Sequence, residues 1–271
     1  IIVLDRTKEP GAIGEPLYLD VVASLEGRGC RIIGGRYGLS SKEFLPRMVK
    51  AVYDHADNGA WHGFTVGIND DVTNLSIPVG DEFGIEPDDV KSSIFWGFGS
   101  DGTVGACKNT IKIIGDNTDM TAQAYFVYDS KKSGGVTVSH LRFGDSPVNY
   151  PYLVQHAGYV ACHNVSYIGR YDMLGALAEG GTFVLNSEIP TSEVFNHLTK
   201  EEQQIIIDRK INFYNVNALQ IAMDVGLGGR INTVMQTVYF KLSGVLPEDE
   251  AIQLIKNYAK KTFENKGMDI V

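Results

Sequence analysis

Cysteine is scarce in this sequence, and the few cysteines are too far apart to form a metal site. Three are present, Cys30, Cys107 and Cys162, and none has a second cysteine at C-x-x-C spacing. Because an iron–sulfur cluster is usually held by four thiolates, we expect this chain to supply none. An odd number of cysteines also gives no complete disulfide framework and is typical of a reducing compartment. We therefore expect a cytoplasmic protein with free thiols.

Long apolar runs and an excess of positive charge are missing as well. No segment is long and apolar enough to cross a bilayer, so no membrane partner is expected. The formal net charge is −9, which argues against a broad nucleic-acid surface, because such a surface needs clustered lysine and arginine. The histidines show no H-E-x-x-H spacing, and no serine lies in a G-x-S-x-G turn. The sequence therefore assigns no catalytic residue and no metal ligand.

Glycine, by contrast, is abundant, and one glycine-rich segment predicts an anion site. Residues 97–102 read GFGSDG, which matches G-x-G-x-x-G, and they follow an apolar run at residues 94–96. Apolar residues then recur at helical spacing up to residue 114. A glycine turn between a strand and a helix lets a phosphate approach the backbone and the helix N-terminus. The predicted cofactor contacts at this turn and in the helix are Gly97, Gly99, Ser100, Gly102 and Lys108. For Lys108 the alternative of a helix residue that faces solvent stays open.

A β-rich run at residues 124–128 follows this helix and ends at Asp129. In a Rossmann fold, an acidic residue at the end of the second strand binds the ribose 2′-hydroxyl group. Here Lys131 and Lys132 come next, and a lysine pair suits a phosphorylated ribose better than plain NAD. The residues alone leave three alternatives open: NADP, the 3′-phospho-adenosine end of coenzyme A, or a solvated basic turn.

A second glycine-rich loop, GLGGR at residues 226–230, precedes another amphipathic helix. Such a loop exposes backbone N–H groups at the start of the helix, and Asn232 adds a neutral hydrogen-bonding side chain. The pattern predicts a second anion contact that includes Asn232. The alternative is a loop that only packs closely against another part of the backbone.

The alternation of strand and helix patterns predicts an α/β fold with a Rossmann-like, mostly parallel sheet and flanking helices. An acidic segment with proline and glycine at residues 78–89 is expected to be a linker, so the predicted domains are residues 1–89 and 90–271. In the first domain we expect strands at residues 1–5, 32–33 and 64–66, a helix from Pro16, and a second helix capped by Ser41. In the second domain the predicted strands are residues 93–96, 124–128, 136–140, 159–162, 182–185 and 211–214. The helices predicted there are residues 103–114, 171–178, 200–208, 218–223, 232–242 and 248–260.

Several segments carry a family resemblance. They are WGFGSDGTVG at residues 96–105, KIIGD at 112–116, YDSKKSGGVTVSHLRFG at 128–144, DRTKEPG at 5–11, GINDDVT at 67–73 and GGRINT at 228–233. Together they resemble the pyruvate:ferredoxin (flavodoxin) oxidoreductases. The resemblance covers nearly all 271 residues in one register. This resemblance implies that the chain is an internal piece of a longer enzyme. The first residue, Ile1, agrees with this, because no initiator Met is present.

The resemblance implies that residues 1–89 are the end of a transketolase-C-terminal-like domain and residues 90–271 a gamma-type domain, in a homodimeric parent. It also implies a parent that converts pyruvate to acetyl-CoA with thiamine diphosphate and iron–sulfur clusters outside this chain, and passes electrons to ferredoxin or flavodoxin. Among the ligands left open above it favours coenzyme A. The partners of this chain are then coenzyme A and the remaining domains of the parent.

Three functions are therefore considered. The first is a part of such an oxidoreductase, inactive alone, that packs against other domains and binds coenzyme A. The second is an NADP-dependent Rossmann dehydrogenase, and the third is a structural domain without a ligand.

Overall fold

The computed structural model describes residues 1–39, 42–69, 72–81, 83–129 and 134–263. It divides into two compact units, Ile1–Glu86 and Pro87–Val271. The identification of these units as a transketolase-C-terminal-like piece and a gamma-type domain stays a prediction. Among the described residues, no helix is both long enough and apolar enough to span a membrane.

The first unit consists of parallel strands connected by helices. Its elements are β1 (Ile2–Asp5), α1 (Pro16–Ser24), β2 (Ile33–Tyr37), α2 (Pro46–Asp57) and β3 (Phe64–Val66). The strands are hydrogen-bonded in the order β1-β2-β3, and both pairings are parallel. Phe64 and Val66 on β3 are fully buried against α2, which places the core of this unit between sheet and helix.

A buried carboxylate fixes the start of α1. Asp5, the last residue of β1, is 6% exposed and accepts hydrogen bonds from the backbone N–H groups of Leu17 (3.0 Å) and Tyr18 (3.1 Å). Because the first N–H groups of a helix have no partner inside the helix, this carboxylate satisfies two of them and also faces the positive end of the helix dipole. The DRTKEPG segment thus has a structural role at its first residue.

The helix α2 begins later than the sequence predicted. Ser41, the predicted cap, lies outside the described residues, and α2 begins at Pro46, with Leu45 as the N-cap residue and no side-chain cap. Proline is favoured in the first turn of a helix because its fixed φ suits that position and its missing N–H is not needed there. The proline therefore sets the start of the helix.

The second unit has one sheet with helices on both faces. Its strands are β4 (Lys91–Phe98), β5 (Thr121–Tyr128), β6 (Val136–Gly144), β7 (Ala157–Cys162), β8 (Leu177–Asn186) and β9 (Asn212–Val216). Its helices are α3 (Thr103–Asn117), α4 (Thr191–His197), α5 (Lys200–Asp208), α6 (Ala218–Asp224), α7 (Asn232–Ser243) and α8 (Glu248–Phe263). One core cluster joins α3, α7 and α8 to the sheet, and a second joins α4 and α5 to it.

The strand order confirms the predicted α/β class and adds an antiparallel edge. The described strands follow the order β5-β6-β4-β7-β8-β9. The pairs β4–β7, β7–β8 and β8–β9 are parallel, whereas β6 is antiparallel to both β4 and β5. The sheet is therefore mostly parallel, as predicted, but β5 and β6 form a hairpin that strict alternation of strand and helix did not anticipate.

The helix predicted at residues 171–178 is wrong. The segment instead makes a tight turn in which the Asp172 carboxylate accepts a hydrogen bond from the Gly175 backbone N–H (2.7 Å), and β8 begins at Leu177. The Arg209 guanidinium donates to the carbonyl oxygens of Leu174 and Leu177, so those groups need no helical partners. Local side-chain hydrogen bonds of this kind compete with helix formation, and α4, which was not predicted, lies further along the chain.

Candidate functional site

The glycine turn joins β4 to α3 as predicted, and the Asp101 carboxylate holds it in place. This carboxylate accepts hydrogen bonds from the backbone N–H groups of Phe98 and Thr103, each at 2.7 Å. Ser100 and Gly102 have φ angles of +75° and +86°, the left-handed conformation that glycine adopts most easily. A negatively charged group of the chain itself thus lies at the N-terminus of α3.

Gly97 allows β4 and α3 to pack closely. A Cβ atom at Gly97 would lie 2.6 Å from the Cβ atom of Thr103, which is too short for two carbon atoms. Thr103 is fully buried, and its hydroxyl group shares a hydrogen bond of 2.8 Å with Nδ1 of His163. The first glycine of the motif therefore secures a contact between the start of α3 and the strand next to β4.

His163 is a functional candidate that the sequence did not reveal, because its neighbours form no recognised motif. It follows β7 directly and is 6% exposed. Loss of solvation lowers the pKa of His163 to about 4, and the negative charge of Asp101 only partly offsets this effect. The ring is therefore neutral at physiological pH. Its Nε2 atom is buried without a hydrogen-bond partner among the described residues.

The glycine turn and His163 meet where the chain reverses its progress across the sheet. From β4 the chain crosses α3 to β5 and β6 on one side, whereas β7 leads to β8 and β9 on the other. In open α/β sheets, ligands bind at the carboxyl ends of the strands at this kind of switch point. The position of His163 could have been anticipated from this rule if the strand order had been known.

The structure brings the two predicted anion contacts together. The Asn232 side-chain amide, at the start of α7, donates a hydrogen bond to the backbone carbonyl of Asp101 (2.7 Å). A Cβ atom at Gly102 would lie 2.2 Å from the Asn232 Nδ2 atom, so any larger residue there would displace the Asn232 amide. The Asn232 Oδ1 atom is buried and has no partner among the described residues. The first turns of α3 and α7 thus belong to one site.

An open cleft of ≈ 210 Å³ lies between these two helix starts and α8, and we call it the α3–α7 cleft. It is lined by Gly102, Gly105, Ala106, Asn109, Arg230, Asn232, Thr233, Gln236, Ile255 and Tyr258. The N-termini of two helices of 15 and 12 residues contribute partial positive charge to it. Its polar groups come mainly from amides and one guanidinium, which suits an anionic ligand with hydrogen-bond acceptors.

The described residues Gly97, Gly99, Ser100 and Lys108, which were also predicted as contacts, do not line this cleft. Lys108 is exposed, and its ammonium group lies 5.4 Å from the centre of the Phe126 ring on β5. Lys131 and Lys132 lie outside the described residues. The described residues that follow them reach the glycine turn, where the Gly99 N–H donates a hydrogen bond of 2.7 Å to the Gly135 carbonyl. Ser100 lies in the turn itself.

The position of Asp129 differs from that of a dinucleotide-binding Rossmann fold. In such a fold the second strand lies beside the first, whereas here β6 lies between β4 and β5. Asp129 thus ends a strand that is one position further from the glycine turn. This arrangement disfavours the NADP alternative.

Comparison with protein families supports the resemblance noted from the sequence. The family model described as pyruvate ferredoxin/flavodoxin oxidoreductase matches residues 92–270. The pyruvate:ferredoxin oxidoreductase of Moorella thermoacetica is 53% identical over 274 residues, which is 100% of this chain and 23% of that protein. The pyruvate-flavodoxin oxidoreductase of Trichormus variabilis is also 53% identical, over 277 residues, again 100% of this chain and 23% of that protein. The chain thus spans about a quarter of the length of these relatives.

Solved structures show a weaker likeness. The pyruvate oxidoreductase subunit PORC from Thermotoga maritima is 17% identical, with a TM-score of 0.49, over 65% of this chain and 86% of that subunit.

Proposed function

Because this chain belongs to the pyruvate ferredoxin/flavodoxin oxidoreductase family, we propose that it is part of an enzyme that oxidatively decarboxylates pyruvate to acetyl-CoA and carbon dioxide. The names of its 53% identical relatives support pyruvate as the substrate and ferredoxin or flavodoxin as the electron acceptor. The chain spans 23% of those proteins, so most of the machinery belongs to other domains.

The contribution that we propose for this chain is the binding of coenzyme A in the α3–α7 cleft. The observation that carries the proposal is the bridge from Asn232 to the glycine turn, which leaves a buried carbonyl oxygen, Oδ1, without a partner. Such an atom is costly to bury alone and is satisfied by a ligand that brings a hydrogen-bond donor, such as a hydroxyl or amide group of coenzyme A. The helix starts and Arg230, which line the same cleft, supply positive potential for its phosphates.

Asp101 limits where those phosphates can lie. Its carboxylate already accepts the N–H groups of Phe98 and Thr103, so a phosphate on the same donors would face a like charge. The side of the cleft formed by Gly105, Asn232 and Thr233 carries no such charge, and we place the phosphates there. The role of this chain is thus to bind and orient coenzyme A for chemistry that takes place on other domains.

Thiamine diphosphate and the iron–sulfur clusters are assigned to those other domains. When bound, they supply the decarboxylation and electron-transfer chemistry of the parent enzyme. The three cysteines of this chain are free, and Cys107 and Cys162 are buried, with the pKa of each thiol raised to about 12 by loss of solvation. We propose that the chain alone does not oxidise pyruvate, and that its parent is a homodimer in the cytoplasm, a compartment that keeps thiols free.

The lysine pair gives the proposal a direct test. We expect the chain to bind coenzyme A about fivefold more tightly than dephospho-coenzyme A, because exposed ion pairs contribute on the order of 1 kcal/mol. Replacing Lys131 and Lys132 with alanine should abolish this preference and leave thermal stability nearly unchanged. Isothermal titration calorimetry with both ligands, at low and at high salt, measures the ratio of the two affinities. This ratio should decrease as the salt concentration rises.

A control variant with the same change in net charge distinguishes a direct contact between the lysine pair and the ligand from a general effect of the protein's charge. Lys42 and Lys50 lie exposed in the first unit, so the Lys42→Ala/Lys50→Ala variant removes the same two charges elsewhere. This variant should keep the fivefold preference. If the Lys131→Ala/Lys132→Ala variant still discriminates fully between the two ligands, the pair is a solvated turn and does not bind the 3′-phosphate.

A further inference from the structure

The first unit contains an arginine whose buried nitrogen lacks a hydrogen-bond partner. Arg47 is the second residue of α2, and its Nε atom is buried without a partner among the described residues. Two other cations of this unit have carboxylate partners, since Arg36 pairs with Glu15 at 3.0 Å and Lys50 pairs with Asp54 at 2.6 Å. A buried N–H donor without a partner is unfavourable, and a guanidinium presents several such donors in one plane.

Arg47 lines an open cleft of ≈ 420 Å³ at the carboxyl edge of the β1-β2-β3 sheet, and we call it the Arg47 cleft. The described residues that line it are Arg47, Met48, Gly67, Ile68, Asn69, Ser76, Ile77, Val79 and Gly80. None of these is aspartate or glutamate, so the guanidinium meets no opposite charge on the described walls. The volume lies within the range of small-molecule sites, about 300–1,000 Å³.

Backbone hydrogen bonds hold the floor of this cleft. The segment after β3 returns beside it, since the Thr65 N–H donates to the Leu75 carbonyl (2.9 Å) and the Ile77 N–H donates to the Thr65 carbonyl (2.8 Å). The Ser76 hydroxyl group donates to the Ile68 carbonyl. A Cβ atom at Gly67, where φ is +67°, would lie 2.7 Å from the Met48 sulfur. The glycine thus lets the chain turn closely under α2 and leaves the cleft open.

We propose that the Arg47 cleft binds a small-molecule oxyanion, a carboxylate or a phosphate, through the Arg47 guanidinium. An oxyanion accepts hydrogen bonds from two donors of one guanidinium and neutralises its charge. The carboxyl edge of a parallel sheet is also where α/β units bind their ligands. This site lies in the unit that does not contain the α3–α7 cleft, and it does not depend on the coenzyme A proposal.

The test is a titration of the whole chain with inorganic phosphate and, separately, with succinate, at low ionic strength. Backbone amide signals of Gly67 and Gly80 in two-dimensional NMR spectra report binding in the cleft. We expect saturable shifts with at least one of the two anions, and the stronger of them identifies the preferred oxyanion. Arg47→Gln should weaken that binding at least about tenfold, since a lost charge-assisted pair of donors is worth a factor of ten or more.

The control is Lys50→Gln, which removes one positive charge from the same helix one turn further on. This variant should change the affinity less than about twofold, because Lys50 is exposed, pairs with Asp54 and does not line the cleft. Thermal unfolding of both variants verifies that each is folded. The proposal fails if neither anion gives saturable shifts at Gly67 and Gly80, or if Arg47→Gln binds as tightly as Lys50→Gln. In either case the guanidinium is simply hydrated at its outer end.

Discussion

The free energy of unfolding of the second unit should fall by about 3 kcal/mol on acidification, and replacing His163 with asparagine should abolish this fall. The pKa of His163 is lowered from 6.5 to about 4 in the folded chain because the ring is buried. In the unfolded chain the ring binds a proton near pH 6.5, so stability is fully present above that pH and falls as the pH drops towards 4. Each unit of this shift corresponds to about 1.4 kcal/mol.

The measurement is urea unfolding at pH 7.5 and pH 4.5, followed by tryptophan fluorescence. The chain has two tryptophans, Trp61 and Trp96, one in each unit, so a Trp61→Phe background reports on the second unit alone. His163→Asn retains an amide near the position of Nδ1 and can keep the bond to Thr103. The exposed His197→Asn serves as control. An unchanged difference between the two pH values in His163→Asn would contradict a neutral, buried ring.

Replacing Gly102 with alanine should destabilise the second unit by about 2–3 kcal/mol and weaken coenzyme A binding at least about tenfold. The left-handed φ of +86° costs roughly 1–2 kcal/mol for a residue with a Cβ atom. In addition, the new Cβ atom would meet the Asn232 amide at 2.2 Å, so Asn232 must leave the Asp101 carbonyl. Loss of a buried hydrogen bond costs about 1 kcal/mol more.

Gly115→Ala is the matched control for this change. Gly115 lies inside α3, and an added Cβ atom there meets nothing within 4 Å. Alanine in a helix interior is more favourable than glycine by roughly 0.5–1 kcal/mol, so this variant should be stabilised. Urea unfolding gives both free energies. If Gly102→Ala were as stable as the unchanged chain, the bridge between the two helix starts would not have the geometry described.

The glycine turn could be predicted from sequence because its signals are local. An apolar strand, a glycine motif and a helical stripe of apolar residues follow one another within about 20 residues. Their secondary-structure patterns and turn chemistry all indicate the same strand–turn–helix structure, and such consistency makes a prediction reliable. Asn232 was also singled out, from the glycine loop before it. That it lies 2.7 Å from the backbone of the first turn is a contact across 131 residues, which no local pattern contains.

What sequence reasoning missed depends on strand pairing and burial. The apolar alternation of β6 does not say whether it pairs parallel or antiparallel with β4, so the hairpin with β5 was not recognised. His163 carries no motif, and its significance follows only from the adjacency of β4 and β7. No sequence pattern singles out Arg47. That its Nε atom lacks a hydrogen-bond partner among the described residues follows only from the folded structure.

An amide-resolved NMR titration of the whole chain tests most directly whether the α3–α7 cleft binds coenzyme A. We expect saturable shifts at Gly102, Gly105 and Thr233, with NADPH binding more weakly than coenzyme A. Asn232→Ala should reduce the affinity at least about tenfold, since it removes a side chain that lines the site. No saturable binding, shifts confined to the first unit, or equal binding of NADPH would contradict the claim.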